Sequence, residues 1–415
     1  MLIHWIWLSG RTNLSDRVKA NLLQYYHDAE DLYYADAEGF QIVEGLSQEG
    51  LQSLQDKDLT QARQILEACE KKDIRILTFR DAAYPNRLRN IADPPVVLYY
   101  KGRLPEFDSL PLVAVVGTRK ATPYGLTTAK RMGYQIAACG GVVVSGMAYG
   151  IDGMAMQGAL TAGQMVIGVL GCGVDVVYPL SNRSLFADVE RHGCLISEFA
   201  PGTEPFKWNF PKRNRIISGL SCGVLVIEAP ENSGALITAR QAAEQGRDVF
   251  AVPGNIDMPS CAGSNALLRD GAMMASSGWD VIGEYQAQFP DKIQNRCKPG
   301  KQLAYPDEVA KANQEAEKPV AKVAQKAKLF SFGKEKKKKE IDNGPSSHYI
   351  DAETKRPPLT ADEQTVWALV EAGNTLVDDI MAATDLPAGA VLAALTMLEV
   401  KCLLQRLPGK RVTMK

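Results

Sequence analysis

Cysteine is sparse and scattered in this 415-residue chain: Cys69, Cys139, Cys172, Cys194, Cys222, Cys261, Cys297 and Cys402 include no C-x-x-C pair. That spacing argues against a zinc site or a disulfide framework and fits a reducing, cytoplasmic compartment. Histidine is scarcer still, with four residues, of which only His192 falls in the central region. It sits at the end of an expected helix beside Gly193, far in sequence from any strand terminus, and reads as a surface residue rather than a general base. An excess of either charge is also missing, since 47 Lys and Arg face 48 Asp and Glu for a formal charge of −1. No global basic field exists, so any surface for a polyanion has to come from local segregation of charge. No apolar run approaches the roughly 20 residues that span a bilayer, and no membrane partner is expected. The opening run Met1 to Leu8 lacks a basic leader, continues into Arg11 and Asp16, and reads as the start of a buried helix.

What remains is the balance of a soluble globular protein, 46% hydrophobic and 23% charged, with length enough for several units. Residues 1–75 read as a small helical domain, with Leu14, Val18, Leu22 and Leu23 on one face and turns at Gly39, Gly45 and Gly50. Residues 76–110 are a connection, rich in proline, that leads through a short strand around Val96–Tyr99 into the core. Over 111–290, apolar runs alternate with helical stretches: Leu112–Val116, Gly141–Val144, Val166–Leu170, Leu195–Ser197, Val224–Ile227 and Val249–Val252. Runs this continuous predict an α/β domain with a mostly parallel sheet buried on both faces. Residues 291–358 lose branched and aromatic side chains, gain Lys336 to Lys339, and read as a flexible linker. From 359 to 415 a capping box at Thr360–Glu363, three helices and a hairpin predict a winged helix. Its Ala388–Leu398 stretch has no Arg, Lys, Asn or Gln to read base edges, which points to a protein-contact or accessory role.

Ligands of an open parallel sheet bind at the carboxyl ends of its strands. The first run ends in Gly117-Thr118-Arg119 and continues to Thr122-Pro123-Tyr124-Gly125, a glycine turn beside a cation that suits a phosphate. The second ends in Ser145-Gly146 and continues through Gly150 to Asp152; the third ends in Gly171-Cys172-Gly173 before Asp175 and Tyr178-Pro179. The fifth leads to Glu228 and then Ser233-Gly234, where a helix opens and Ser233 is either a cap or a phosphate contact. None of these strings matches the dinucleotide or Walker pattern. The most pointed segment is Phe206 to Arg215, expected as a basic loop, which places Lys207, Lys212, Arg213 and Arg215 among three aromatics, around Asn214, within ten residues. Cations neutralise phosphates and aromatic faces stack unpaired bases, and single-stranded DNA needs both. The carboxylates Asp152, Asp175, Glu198 and Glu228 are explained by capping or by pairing with Arg119, Arg213 or Arg215, so no catalytic set is expected.

These strings, in this order, resemble the DNA-processing protein A (DprA/Smf) family: Gly117-Thr-Arg119, Ser145-Gly-x-Ala-x-Gly-Ile-Asp152, Gly171-x-Gly-x-Asp-x-x-Tyr-Pro179, Phe210-Pro-x-Arg-Asn-Arg-Ile-Ile217 and Ser233-Gly234 to Thr238-Ala239. The resemblance implies an extended Rossmann-like core that binds single-stranded DNA without a nucleotide cofactor or catalysis. It also implies self-association as a homodimer through the core and loading of the RecA recombinase during natural transformation or recombination. The flanking units are similar in kind to the sterile-alpha-motif-like and winged-helix domains of the family. The DNA pocket of the family maps onto Arg119, Ser145, Gly146, Lys212, Arg213 and Arg215. An alternative is a nucleotide phosphoribohydrolase-like enzyme on a related Rossmann fold, whose Pro-Gly-Gly-x-Gly-Thr loop is absent; the nearest string here is Ala229-Pro-Glu-Asn-Ser-Gly234. A third reading is a pure protein-interaction scaffold dominated by the winged helix.

Overall fold

Leu112–Val116 carries no polar side chain and is buried at every position, so it can only be a central strand with both faces covered. The computed structural model describes residues 1–36, 39–40, 43–296, 305, 359–371, 376–384, 386–401, 403–407 and 411–414. Two units result, Met1–Ser331 and Phe332–Lys415. In the first, the strands are β1 (Arg75–Thr78), β2 (Val97–Gly102), β3 (Leu112–Val116), β4 (Val142–Ser145), β5 (Val166–Val169), β6 (Cys194–Ser197), β7 (Gly223–Val226), β8 (Asp248–Ala251) and β9 (Met273–Met274). They form one sheet in the order β1-β2-β6-β5-β4-β3-β7-β8-β9. β3 to β9 pair in parallel, while β1 with β2 and β2 with β6 are antiparallel. β3 to β8 are the six expected apolar runs. β1 and β9 have no such run, since one begins with an exposed arginine and the other is two exposed methionines.

Helices cover both faces. Pro123–Ala138, Ile151–Thr161 and Arg183–His192 give Met132, Ile136, Ala155, Met156 and Phe186 to one buried cluster. Asn209–Leu220 and Gly234–Glu244 give Ile216, Ile217, Leu220, Ala239 and Ala242 to the other. The first two helices approach so closely that a Cβ on Gly133 would lie 2.0 Å from the Ala155 carbonyl, and one on Gly158 2.0 Å from that of Lys130. Among the described residues, five short α-helices between Leu2 and Lys71 make the N-terminal helical region. Leu14, Val18, Leu22 and Leu23 are buried there as their spacing predicts, with Trp7 and Leu54, in the cluster that also holds Val97 and Tyr99 of β2. Each fully buried leucine contributes about 1.5–3 kcal/mol relative to an exposed one.

The second unit has helices Ala361–Glu371, Val377–Ala382 and Ala388–Val400 and an antiparallel hairpin of Leu404–Leu407 with Arg411–Met414. The capping box is present: Thr360 N donates to Glu363 Oε2 at 2.8 Å and Glu363 N to Thr360 Oγ1 at 3.4 Å. Val366, Val391, Leu395 and Leu398 form its core. Most of the expected linker, from 297 to 358 apart from Tyr305, lies outside the described residues, as do Cys297 and Cys402. Among the described residues no helix is long and apolar enough to cross a membrane.

Candidate nucleic-acid interface

From β3 the sheet grows through β4, β5 and β6 to one side, and the chain then returns to pair β7 on the other. Such a reversal opens a crevice at the carboxyl ends of the two strands that flank it. Here the crevice holds about 450 Å³ and is lined by Gly117, Thr118, Arg119 and Lys120 from the turn after β3. Lys207, Phe210, Arg213 and Asn214 close its second wall, and Ser233 and Gly234 its third. Eight of the twelve residues expected from sequence are thereby assembled.

Arg119, Lys120 and Lys207 are exposed, and none of them takes part in an ion pair among the described residues. The Arg119 guanidinium lies 4.9 Å from the Phe210 ring centroid, and that of Arg213 lies 5.8 Å from the same ring. One aromatic ring thus neighbours both a free cation and a committed one. Arg213 is 3% exposed and donates from Nη1 to the carbonyls of Gly146, at 2.8 Å, and Val169. Its Nε donates to Asn214 Oδ1 at 3.2 Å. Arg213 therefore ties the ends of β4 and β5 together beneath the crevice. Burial pushes it down to about 10, which leaves it cationic at neutral pH, with Asp152 as the nearest compensating charge. Burial raises the Asp152 carboxyl, against the pull of Arg213, and its Oδ2 accepts from Gly146 N at 3.1 Å.

The third wall is the start of helix Gly234–Glu244, where Ser233 Oγ accepts from Ala235 N at 3.3 Å as an N-cap. A Cβ on Gly234 would meet nothing within 4 Å, so a ligand can come close to the backbone where the helix dipole favours an anion. Asn214 reaches this point by donating from Nδ2 to the Gly234 carbonyl at 3.3 Å.

Several expectations need correction. The basic segment, read as a loop, is helical from Asn209, and a helical repeat sends neighbouring cations to different faces. Arg213 faces the sheet. Lys212 and Arg215 face away from the crevice, toward the N-terminal helices. Arg215, 3% exposed, donates from Nη2 to Glu198 Oε2 at 2.7 Å and Asp16 Oδ2 at 2.9 Å, and its Nε lies 3.1 Å from Asp93 Oδ2. Lys212 Nζ is 2.9 Å from Asp16 and 3.4 Å from Glu198. Neither cation is free for a phosphate. Burial opposes the charge on Arg215, but Glu198, Asp16 and Asp93 together outweigh it and raise its pKa. Ser145 is fully buried and donates to the Val115 carbonyl at 2.6 Å, which removes it from any ligand. Gly146 has both backbone groups engaged with Asp152 and Arg213, and a Cβ there would lie 2.6 Å from the guanidinium. The turn after β3 is also less open than its glycine suggests. Thr118 N donates to the Glu228 carbonyl at 2.7 Å and Lys120 N to Thr118 Oγ1 at 3.2 Å.

The other acids are occupied as pairing and capping suggest, although not always with the expected partner. Glu228 Oε2 accepts from Thr122 N and Oγ1, both at 3.1 Å, and Asp175 pairs with Lys72. His192 is exposed at its helix end. Lys120, Asn232 and Thr238 join the lining without having been singled out. Lys120 was legible as a second cation beside Arg119 and Thr238 as part of the string Ser233-Gly234 to Thr238-Ala239, whereas Asn232 carries no signal beyond nearness to Ser233.

Comparison with known proteins agrees with this geometry. A family model for DNA recombination-mediator protein A matches residues 75–286, and one for the DprA winged helix domain matches residues 351–410. Protein Smf of Synechocystis sp. is 35% identical over 354 residues, which is 84% of this chain and 82% of that one. DNA processing protein DprA of Bacillus subtilis is 42% identical over 220 residues, 53% of this chain and 74% of that one. The X-ray structure of DprA from Streptococcus pneumoniae superposes with a TM-score of 0.59 at 34% identity, covering 68% of this chain and 96% of its own. With its parallel core and its winged helix both matched, the chain belongs to the DprA/Smf family of DNA-processing proteins.

Proposed function

We propose that the crevice at the β3–β7 reversal holds single-stranded DNA without breaking any of its bonds, and that the protein delivers the strand to the RecA recombinase during transformation or recombination. One observation carries the DNA reading: three exposed cations without carboxylate partners among the described residues, Arg119, Lys120 and Lys207, converge on one open crevice of a chain whose net charge is −1. Free cations at an open surface bind by releasing counterions from the strand, which is the main source of affinity for a polyanion. Gly117, Thr118, Asn214, Ser233 and Gly234 supply polar groups and close backbone approach around them. Ser145, Gly146, Lys212, Arg213 and Arg215 act behind them as framework.

A non-catalytic role is supported by the carboxylates. Asp152 is engaged with the Gly146 amide beside Arg213, and Glu228 with Thr122, so neither stands ready beside a nucleophile. The RecA step rests on family membership. A homodimer through the second half of the core is supported by a groove of about 630 Å³ between helices Gly234–Glu244 and Ala262–Arg269, next to the edge strand β9 with Met274 65% exposed. Fluorescence anisotropy with labelled single-stranded and duplex oligonucleotides tests the DNA reading. Tighter binding of the single strand, abolished by Arg119→Glu with the fold intact, is the expected result. Undiminished binding by that variant, or release of free base from nucleoside monophosphates by the native protein, would overturn it.

A further inference from the structure

We propose that the Phe206–Trp208 pair is a stacking platform for an unpaired nucleobase of the strand in the crevice. The proposal rests on the DNA reading above and extends it from phosphates to bases. Two large rings stay in water here: Trp208 is 70% exposed and Phe206 42%. Trp5, Trp7 and Trp367 are buried, and Trp279 packs against the core, so Trp208 stands apart from the other tryptophans of the chain. The two rings are parallel, with centroids 4.9 Å apart and planes 5° from each other. Each covers one face of its neighbour, and the exposure of Trp208 leaves its outer face to solvent.

The turn that carries the rings is held by its backbone: Phe206 N donates to the Glu204 carbonyl at 2.9 Å and Asn209 N to the Phe206 carbonyl at 3.0 Å. The platform is therefore in place before a ligand arrives, and ordering it costs little. Lys207, between the two aromatics in sequence, and Phe210, two positions after Trp208, both line the crevice, and the Tyr178 ring centroid lies 5.6 Å from that of Phe210. Aromatic faces thus continue outward from a cationic crevice along one short segment. That combination selects the occupant. A protein partner would match the rings but gains nothing from Arg119, Lys120 and Lys207 unless it is acidic, whereas an unpaired strand presents a phosphate and a π-face at every residue. Because every base has such a face, the platform tolerates any sequence and rejects a duplex, whose bases are already stacked on one another.

The test uses the full chain and three probes of equal length: oligothymidylate, an abasic oligomer with the same phosphates and no bases, and a duplex. Trp208→Ala is expected to weaken oligothymidylate binding about tenfold, within the range known for base–aromatic stacks, and to leave abasic binding and the salt slope unchanged. Trp208→Phe, which keeps a ring, is expected to retain affinity within about threefold. Titrating native protein with oligothymidylate should quench tryptophan fluorescence, and the quench should vanish in Trp208→Phe while binding persists. Equal effects of Trp208→Ala on base-bearing and abasic strands, or no effect on either, would overturn the platform. Arg119→Ala, run alongside, separates the two readings. If it leaves abasic binding intact the crevice itself is misassigned, and if it weakens abasic binding while Trp208→Ala discriminates nothing, only the platform falls.

Discussion

Arg213 and Arg215 stand two positions apart on helix Asn209–Leu220, yet the two regions they serve are built in opposite ways. Toward the crevice, Arg213 is buried among carbonyl oxygens so that Arg119, Lys120 and Lys207 around it stay open and unpaired. Toward the N-terminal helices, Arg215, Lys212 and Lys19 meet Asp16, Glu198 and Asp93, and the charges cancel. Lys19 belongs to this second region so fully that burial pushes it down to about 8, despite the opposing pull of Asp16. The contrast teaches that cations counted along a sequence overstate the charge offered to a polyanion. In the proposed function the charge that the fold leaves uncompensated is what meets DNA, and the charge it neutralises joins the helical region to the sheet.

The strongest way to break the comparison is Arg215→Ala. It leaves Asp16, Glu198 and Asp93 facing one another, and removing one partner of a buried network costs about 3–5 kcal/mol. Urea denaturation should show that loss, while the folded protein keeps its affinity for single strands. Arg119→Ala should do the reverse. Unfolding free energy stays within about 0.5 kcal/mol, as for an exposed substitution, and single-strand affinity falls about tenfold, near 1.4 kcal/mol.

A smaller effect sharpens the neutralised side through pH. Burial raises the Asp16 carboxyl, but Arg215, Lys212 and Lys19 outweigh it and hold its pKa below the ordinary 3.8. A carboxyl depressed in the folded state contributes stability that is fully present above the unfolded value and lost as pH falls through the folded one. The stability difference between native protein and Asp16→Asn should therefore be level near neutrality and shrink as pH drops below 3.8. Denaturation at a series of pH values checks this, and a difference that grows on acidification would contradict it. The smallest expected change is that of Lys207→Ala, at the rim, which should weaken single-strand binding only about threefold.

Much of this was legible in the chain. Six apolar runs give β3 to β8 because a strand covered on both faces admits no polar alternation, and the Thr360–Glu363 box appears as spaced. The crevice too could be located, since its glycines and Arg119 follow directly on those runs. The burial of Arg213 and Arg215 could not, because an arginine is exposed unless partners exist. The partner of Arg215 on the helical region, Asp16, lies 199 residues away in sequence. The helix at Asn209 was hidden for a related reason: its cations and aromatics serve three environments at once and leave no single apolar stripe. β9 is set by its pairing with β8 alone, and its two residues carry no pattern.

The central claim is that uncompensated cations at the β3–β7 reversal, and not the paired ones on the far face of the same helix, hold the strand. A salt titration of single-strand binding by native protein, Arg119→Ala and Lys212→Ala tests it directly. The account predicts a logarithmic slope shallower by about 0.7 for Arg119→Ala, one phosphate contact fewer, and no change for Lys212→Ala. A shallower slope for Lys212→Ala with that of Arg119→Ala unchanged would contradict it.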